Sequence, residues 1–205
     1  LTSKMGFEFV KAFEDAGIVT TPKHFIANVW DGGRDSHSVQ ISERQLREIY
    51  LPPFESVIQQ AGARSIMCSY NALNGVPCAS DPWLLTDVLR KELGFEGYVV
   101  SDWGAAYNVM GAFHQASDLT HAAALLLNAG MDSEAPGVYV FGKPLEEALD
   151  QKLISEKTLD EAVSRVLRVK FEKGLFEAKA PEPSSAKAAI EQPKNREIAV
   201  QAARE

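Results

Sequence analysis

Gly97-Tyr98-Val99-Val100-Ser101-Asp102-Trp103-Gly104 decides how the rest of the chain is read. Gly97 releases the chain into a short apolar run, Tyr98 to Val100, bounded on both sides by turn formers. So short a run, with no polar alternation, suits a parallel strand buried on both faces. It ends abruptly at Ser101-Asp102-Trp103-Gly104. Asp is depleted in strands and costly to bury unpaired, so packing is a poor explanation for a carboxylate there. In α/β proteins ligands gather at the C-terminal tips of parallel strands. Asp102 therefore reads as a catalytic carboxylate, a nucleophile or general base. The plainer alternative is a helix cap or a structurally paired Asp.

Outward from this stretch, a strand–loop–helix unit repeats. Residues 4–16 have apolar positions at helical spacing and stop at Gly17. Ile18 to Thr21 read as a strand leading through Pro22 into Lys23-His24-Phe25. A loop over 27–40 precedes Ser42-Glu43-Arg44-Gln45, a capping box that opens a helix to about Gln60. Pro52-Pro53 should bend or split that helix. Ala63 to Ser69 form a second strand ending at Tyr70-Asn71. Ser80 is placed to cap a helix from Asp81 to Leu93, ahead of the strand at 98–102. Helices follow at 117–128, about 144–152 and 156–173, with Ser155 as a cap and Gly174 as a stop, and Gly130-Met131-Asp132 is a further strand tip.

Alternation of this kind implies an α/β fold with a parallel sheet and crossover helices. Four polar tips would then share one face: Lys23-His24, Tyr70-Asn71, Asp102-Trp103 and Asp132. A closed (β/α)8 barrel needs about 250 residues. The expected architecture is the C-terminal portion of such a barrel over residues 1–176. Residues 177–194, rich in Ala, Lys, Pro, Glu and Ser, read as a linker, and 195–205 as the start of a second α/β domain.

The chain has 205 residues and a net charge of −7, with no Lys/Arg cluster, which argues against nucleic-acid or anionic-membrane partners. No apolar run has the length of a membrane span. The opening at Leu1 reads as the approach to a helix, as in a processed or truncated piece. Cys68 and Cys78 lack the spacing and the His partners of a zinc site, and no metal or cofactor is expected. The turn-rich segment between them leaves two readings open, two buried thiols or a disulfide.

An aromatic beside a carboxylate suits a sugar, whose C–H groups stack on an indole while the carboxylate attacks the anomeric carbon. Trp103 supplies that indole. Lys23 and His24 both donate to hydroxyl groups; otherwise Lys23 pairs with a carboxylate and His24 is satisfied in the core. A desolvated Lys23 is alternatively a Schiff-base residue, which would make the protein a lyase. Tyr70 is placed to hydrogen-bond the carboxylate or the sugar. Arg34, in Gly32-Gly33-Arg34-Asp35, either clamps the site or pairs with Asp35. Asp132 is a further candidate for contact at the last tip.

Together these segments resemble glycoside hydrolase family 3. The likeness is carried by Lys23-His24-Phe25, Gly32-Gly33-Arg34-Asp35, and the run from Ser42-Glu43-Arg44-Gln45 to Leu51-Pro52-Pro53-Phe54. It continues in Met67-Cys68-Ser69-Tyr70-Asn71 to Val76-Pro77, in Trp83-Leu84-Leu85-Thr86-Asp87, and in Val99-Val100-Ser101-Asp102-Trp103-Gly104. Arg165-Val166-Leu167-Arg168 with Gly174-Leu175-Phe176 is similar to the family's barrel end. The resemblance covers about residues 20–205.

It implies a retaining exo-β-glycosidase, typically a β-glucosidase, acting on oligosaccharides or on aryl or alkyl β-glycosides. Asp102 would be the nucleophile. Lys23 and His24 would bind the terminal sugar, with Tyr70 supporting Asp102, Trp103 lining the pocket and Arg34 at its edge. The acid/base Glu would come from a second domain, so this chain alone is expected to be inactive. A secreted or periplasmic location and a Cys68–Cys78 disulfide are also implied. β-Xylosidase is the nearest rival reading. Asp35-Ser36-His37 is similar to the β-N-acetylglucosaminidase branch, but Ile26-Ala27-Asn28-Val29 departs from that branch's usual loop. A non-catalytic sugar-binding module remains the alternative outside enzymes.

Overall fold

The computed structural model describes residues 1–30, 32–180, 182–190 and 192–205. They form two compact units, residues 1–173 and residues 174–205. The larger unit is α/β, as its alternating pattern implies. Its strands are β1 (Ser38–Val39), β2 (Ser65–Met67), β3 (Ala72–Leu73), β4 (Val76–Pro77) and β5 (Tyr98–Val100). β2 and β5 pair in parallel, with Met67 opposite Val100. Parallel bridges extend this pair on both sides, Phe25 to Cys68 and Val100 to Ser133. The four segments therefore run the same way in the order 25, 68, 100, 133. A second small sheet has the order β1-β3-β4, with β3 and β4 antiparallel around Asn74-Gly75.

Apolar side chains explain the larger sheet. Phe25, Ile66 and Val99 are fully buried, together with Leu84, Leu85, Val88 and Leu89 of the helix Trp83–Glu92 and Leu126 of the helix Leu119–Ala129. Each such side chain contributes about 1.5–3 kcal/mol of burial. Burial on both faces of β5 is only partly met. Val99 is buried, whereas Tyr98 and Val100 are half-buried. Helices cover the Val99 face; the opposite face carries Tyr98, Val100 and, at the same parity, Asp102. Gly97 opens β5 because a Cβ there would run into the Arg64 carbonyl and the Phe95 ring.

Several local expectations hold and several need correction. Ser42 and Ser155 cap their helices, accepting from Gln45 N and Thr158 N, each at 3.1 Å. Ser80 does not cap the next helix. Asp81 does, its Oδ1 accepting from Trp83 N at 3.0 Å and Leu84 N at 3.3 Å, while Ser80 Oγ turns to Gln115. Pro52-Pro53 does not split the helical run over 43–60. The prolines open the α-helical segment Leu51–Glu55, and π-helical turns flank it at Leu46–Tyr50 and Ser56–Gln60. Proline is tolerated there because the π-helical turns on either side shift the backbone pairing and absorb the missing N–H groups. Ile18 to Thr21 form no strand; backbone pairing begins at Pro22 O, which accepts from Met67 N at 3.1 Å, and the first bridge is at Phe25. In the smaller unit, Pro183–Ile190, within the stretch read as linker, and Pro193–Arg204 are helical, with their side chains exposed. No helix among the described residues is long and apolar enough to cross a membrane.

Glu14 ties the helix Thr2–Asp15 to the rest of the larger unit. Its Oε1 accepts from Thr20 N and Thr20 Oγ1, both at 2.8 Å, and its Oε2 lies 3.0 Å from Lys173 Nζ. Burial pushes this carboxyl upward, but the Thr20 bonds and Lys173 outweigh it and hold it below its ordinary value. A lowered folded value means that the stabilisation is complete above the ordinary glutamate pKa, about 4.3, and is lost as pH falls through the folded value. Glu14→Gln is expected to lower unfolding stability by about 2 kcal/mol at pH 7. In urea titrations the gap to wild type should close as pH is lowered below about 4. A gap independent of pH would contradict this account.

Candidate active site

Asp102 follows β5 by two residues, and its neighbours fix it from several directions. Ser101 N donates to Ser133 O at 3.0 Å, and Ser101 Oγ accepts from Ala135 N at 2.9 Å. Gly104, at φ 78°, turns the chain so that its N–H reaches Ala135 O at 2.9 Å and the helix Ala105–Gly111 begins. A φ in that range strongly favours glycine. The Asp102 side chain is 10% exposed. Its Oδ1 accepts from Trp103 N at 2.7 Å. His24 Nε2 lies 3.0 Å from Oδ2 but is not aligned to donate to it. Oδ2 is thus buried with no hydrogen bond among the described residues. One carboxylate oxygen is held and the other is left unengaged, which suits attack on an electrophile.

The sheet order brings His24, Tyr70, Asp102 and Trp103 together. Burial lowers the His24 pKa against the pull of Asp102, and Lys23 and Arg34 lower it further, so the ring is neutral at pH 7. Tyr70 donates its hydroxyl to the Trp103 carbonyl at 2.8 Å. Burial and the adjacent Asp102 carboxylate push the phenol up to about 12, so it stays a donor. Lys23 is exposed beside His24, and Arg34 lies 3.8 Å from Asp35, about half exposed. Both stand at the rim, within electrostatic reach of His24. The His37 ring faces Trp30 edge-on at 6.4 Å.

Asp132 is corrected from a contact residue to a structural one. Its side chain is fully buried between Arg90, 2.6 Å away, and Arg165, 2.7 Å away. Cys68 and Cys78 are free and fully buried, so the disulfide is not formed. Each thiol faces its own backbone carbonyl, Cys68 toward Ser69 and Cys78 toward Ile26. Burial pushes both upward, Cys78 to about 11, which keeps them protonated and unreactive. Among the described residues no group of three or more His, Cys, Asp or Glu is placed to hold a metal ion.

Sequence reasoning missed part of the surroundings. Trp103 and Tyr70 share a cleft of about 550 Å³ with Tyr107 and Tyr139. The helix Ala105–Gly111, which presents Tyr107, was not expected. The signal was local: Gly104 followed by Ala105-Ala106, good helix formers after a turn residue. Tyr139 lies in a loop and had no local signal.

Comparison with known proteins adds to this geometry. Residues 1–169 match the model of the glycosyl hydrolase family 3 N terminal domain. A β-glucosidase of Rhizobium radiobacter is 37% identical over 199 residues, which are 97% of this chain and 22% of that protein. A β-xylosidase of Formosa agariphila is 37% identical over 198 residues, 87% of this chain and 27% of that protein. Among solved structures, a β-glucosidase from Listeria innocua superposes with a TM-score of 0.84 at 30% identity, covering 95% of this chain and 28% of that one. The chain spans about a quarter of the length of these relatives.

Proposed function

The chain belongs to glycoside hydrolase family 3, and from that premise we propose that it carries the nucleophile half of a retaining, exo-acting β-glycosidase. The reaction is release of terminal non-reducing β-D-glucosyl residues through a covalent glycosyl-enzyme on Asp102. One observation carries this reading: at the tip of a parallel strand, Asp102 has Oδ1 fixed by Trp103 N and Oδ2 buried without a hydrogen bond.

In the first step Asp102 Oδ2 bonds to the anomeric carbon as the glycosidic C–O bond breaks, and a general acid protonates the departing oxygen. In the second, water attacks that carbon, the same residue removes the water's proton, and the bond to Asp102 breaks. Neutral His24 and the rim residues Lys23 and Arg34 donate to sugar hydroxyls. Tyr70 acts through the Trp103 backbone: its hydroxyl donates to the Trp103 carbonyl, and the N–H of the same residue holds Oδ1. Retention needs a second carboxyl about 5–5.5 Å from the first. We assign it to a Glu of a second domain that residues 195–205 begin after a linker over 177–194. Residues 1–176 are then the C-terminal portion of a (β/α)8 barrel, a reading supported by the parallel order 25, 68, 100, 133. On this reading the chain alone is inactive. A secreted or periplasmic location rests on family likeness alone.

The rival readings differ in support. β-Xylosidase stands close, because relatives of that name match nearly as well. A β-N-acetylglucosaminidase would pair Asp35 with His37, whereas here Asp35 lies by Arg34 and His37 by Trp30. A Schiff-base lysine depends on desolvation, and Lys23 is exposed.

The direct test is inactivation of the full-length protein by a 2-deoxy-2-fluoro-β-glycosyl fluoride, followed by peptide mapping. The label is expected on Asp102. A label on another residue, or none while hydrolysis continues, removes Asp102 from this role.

A further inference from the structure

We propose that Asn74-Gly75, the one Asn-Gly pair in the sequence, is a modification site. It is a deamidation switch that native hydrogen bonds hold off, and its conversion unlatches the segment 38–41 from the turn between β3 and β4. The inference goes beyond the glycosidase reading and does not depend on it.

Water is the only co-reactant. The Gly75 backbone nitrogen attacks Asn74 Cγ and gives up its proton. A C–N bond forms, the bond from Cγ to Nδ2 breaks, and that nitrogen leaves as ammonia. Water then opens the cyclic imide at one of its two carbonyls. One opening leaves an aspartate. The other leaves an isoaspartate, whose main chain runs through the former side chain and is longer by one carbon. Glycine in the second position has no Cβ to hinder ring closure. Both residues are exposed, so burial does not keep water away.

Hydrogen bonds supply the protection instead. Asn74 Oδ1 accepts from Ile41 N at 3.0 Å, and Nδ2 donates to Ile41 O at 2.9 Å. This bridge holds the amide at both of its polar atoms. Gly75 N donates to Ser38 Oγ at 2.8 Å, and Asn74 N to Val39 O at 2.8 Å. The attacking nitrogen and the carbon it would attack are thus tied to separate points of the segment 38–41. Asn74 and Gly75 have φ of 51° and 96°, the paired positive values of the tight turn that joins β3 to β4. Ring closure must break the Ser38 bond and the Ile41 bridge before the imide can form.

The same bonds give the modification its reach. An aspartate at position 74 lacks the donor to Ile41 O and sets a negative charge beside that carbonyl. An isoaspartate lengthens the turn and displaces the whole bridge. Ile41 precedes Ser42, which caps the helical run over 43–60. Ser38 follows the loop that carries Arg34 and Asp35 at the rim. A change at an exposed turn is therefore passed to a helix start and to the rim loop.

The test follows Asn74 by peptide mass mapping of the full-length protein, incubated at mildly alkaline pH in native buffer and in denaturing urea. Native protein is expected to deamidate there at least about thirtyfold more slowly than unfolded protein, the factor carried by two ordinary hydrogen bonds. Ser38→Ala removes the acceptor of Gly75 N and should raise the native rate about fivefold, the factor of one such bond, with the unfolded rate unchanged. Gln40→Ala is the control. It removes the other bond to Ser38 Oγ, from Gln40 Nε2 at 2.9 Å, and should leave the native rate as it is. In the isoaspartate form, separated chromatographically, hydrogen exchange at Ile41 N should be at least about fivefold faster than in unmodified protein. Equal rates in native and unfolded wild type, or a native rate unmoved by Ser38→Ala, overturn the protection. Unchanged exchange at Ile41 overturns the unlatching. If Ser38→Ala does not fold, the two wild-type measurements still decide.

Discussion

Asp102→Gly in the full-length protein is expected to lose at least about 10⁴-fold in kcat/KM, equivalent to about 5.5 kcal/mol of transition-state stabilisation. The loss follows from the role of one atom. Oδ2 has no hydrogen bond among the described residues, and His24 Nε2 stands 3.0 Å from it without being aligned. A carboxylate so placed adds little to folding through that oxygen and much to attack on carbon. The glycine variant also opens space where a small anion can enter. With azide, the anomeric carbon gains a C–N bond as the leaving-group bond breaks, in one displacement. The product should be the α-glycosyl azide, inverted relative to the β-substrate, and the rate should rise with azide concentration. Asp102→Asn serves as the control for folding, since it retains the shape and an acceptor for Trp103 N. Turnover within tenfold of wild type, or a β-configured azide product, would rule out a nucleophilic Asp102.

The contrast between what the sequence disclosed and what it concealed follows from the range of the forces involved. Strand β5 and its carboxylate were legible because an apolar run ending in Asp violates an ordinary strand preference. Ser42 and Ser155 were legible as caps because the bond is made within three residues. Ser80 failed by one position. Ser80 and Asp81 are both good caps, and only the packing of Ser80 toward Gln115, 35 residues away, decides between them. Asp132 failed for a similar reason. A carboxylate at a strand tip looks free until Arg90 and Arg165, on two helices, close over it. Tyr139 left no local trace, because it reaches Trp103 only through a loop whose anchors are Ser101 and Gly104. The sequence pattern thus marked the strand-tip carboxylate Asp102, while the cleft beside it depends on contacts across distant segments.

Asp132→Asn is expected to destabilise the larger unit by about 3–5 kcal/mol, the largest stability effect among its polar side chains. Asp132 Oδ2 accepts from Arg90 Nη2 at 2.6 Å and from Val99 N at 2.7 Å, and Oδ1 accepts from Arg165 Nε at 2.7 Å. The Asp132 side chain is fully buried, and the two arginines are 13% and 18% exposed. Burial pushes the Asp132 carboxyl upward against the pull of both guanidinium groups. Removing its charge leaves two poorly solvated cations without a counter-charge. Arg90 additionally donates to Gly97 O and Gly130 O, at 3.0 and 2.9 Å. The cluster thereby joins the helices Trp83–Glu92 and Glu156–Glu172 to the start and middle of β5 and to the segment at 130–133. Because Val99 precedes Asp102 by three residues, loosening this anchor should also reduce turnover in protein that remains folded, through misplacement of Asp102. Urea unfolding reads the stability loss directly. The double variant Asp132→Asn/Arg165→Gln should lose less than the sum of its singles, by about 1–3 kcal/mol, since the second change removes one of the stranded cations. A single variant within 1 kcal/mol of wild type, or strictly additive losses, would show that the cluster is not a coupled unit; unchanged activity in the folded single variant would separate it from the placement of Asp102.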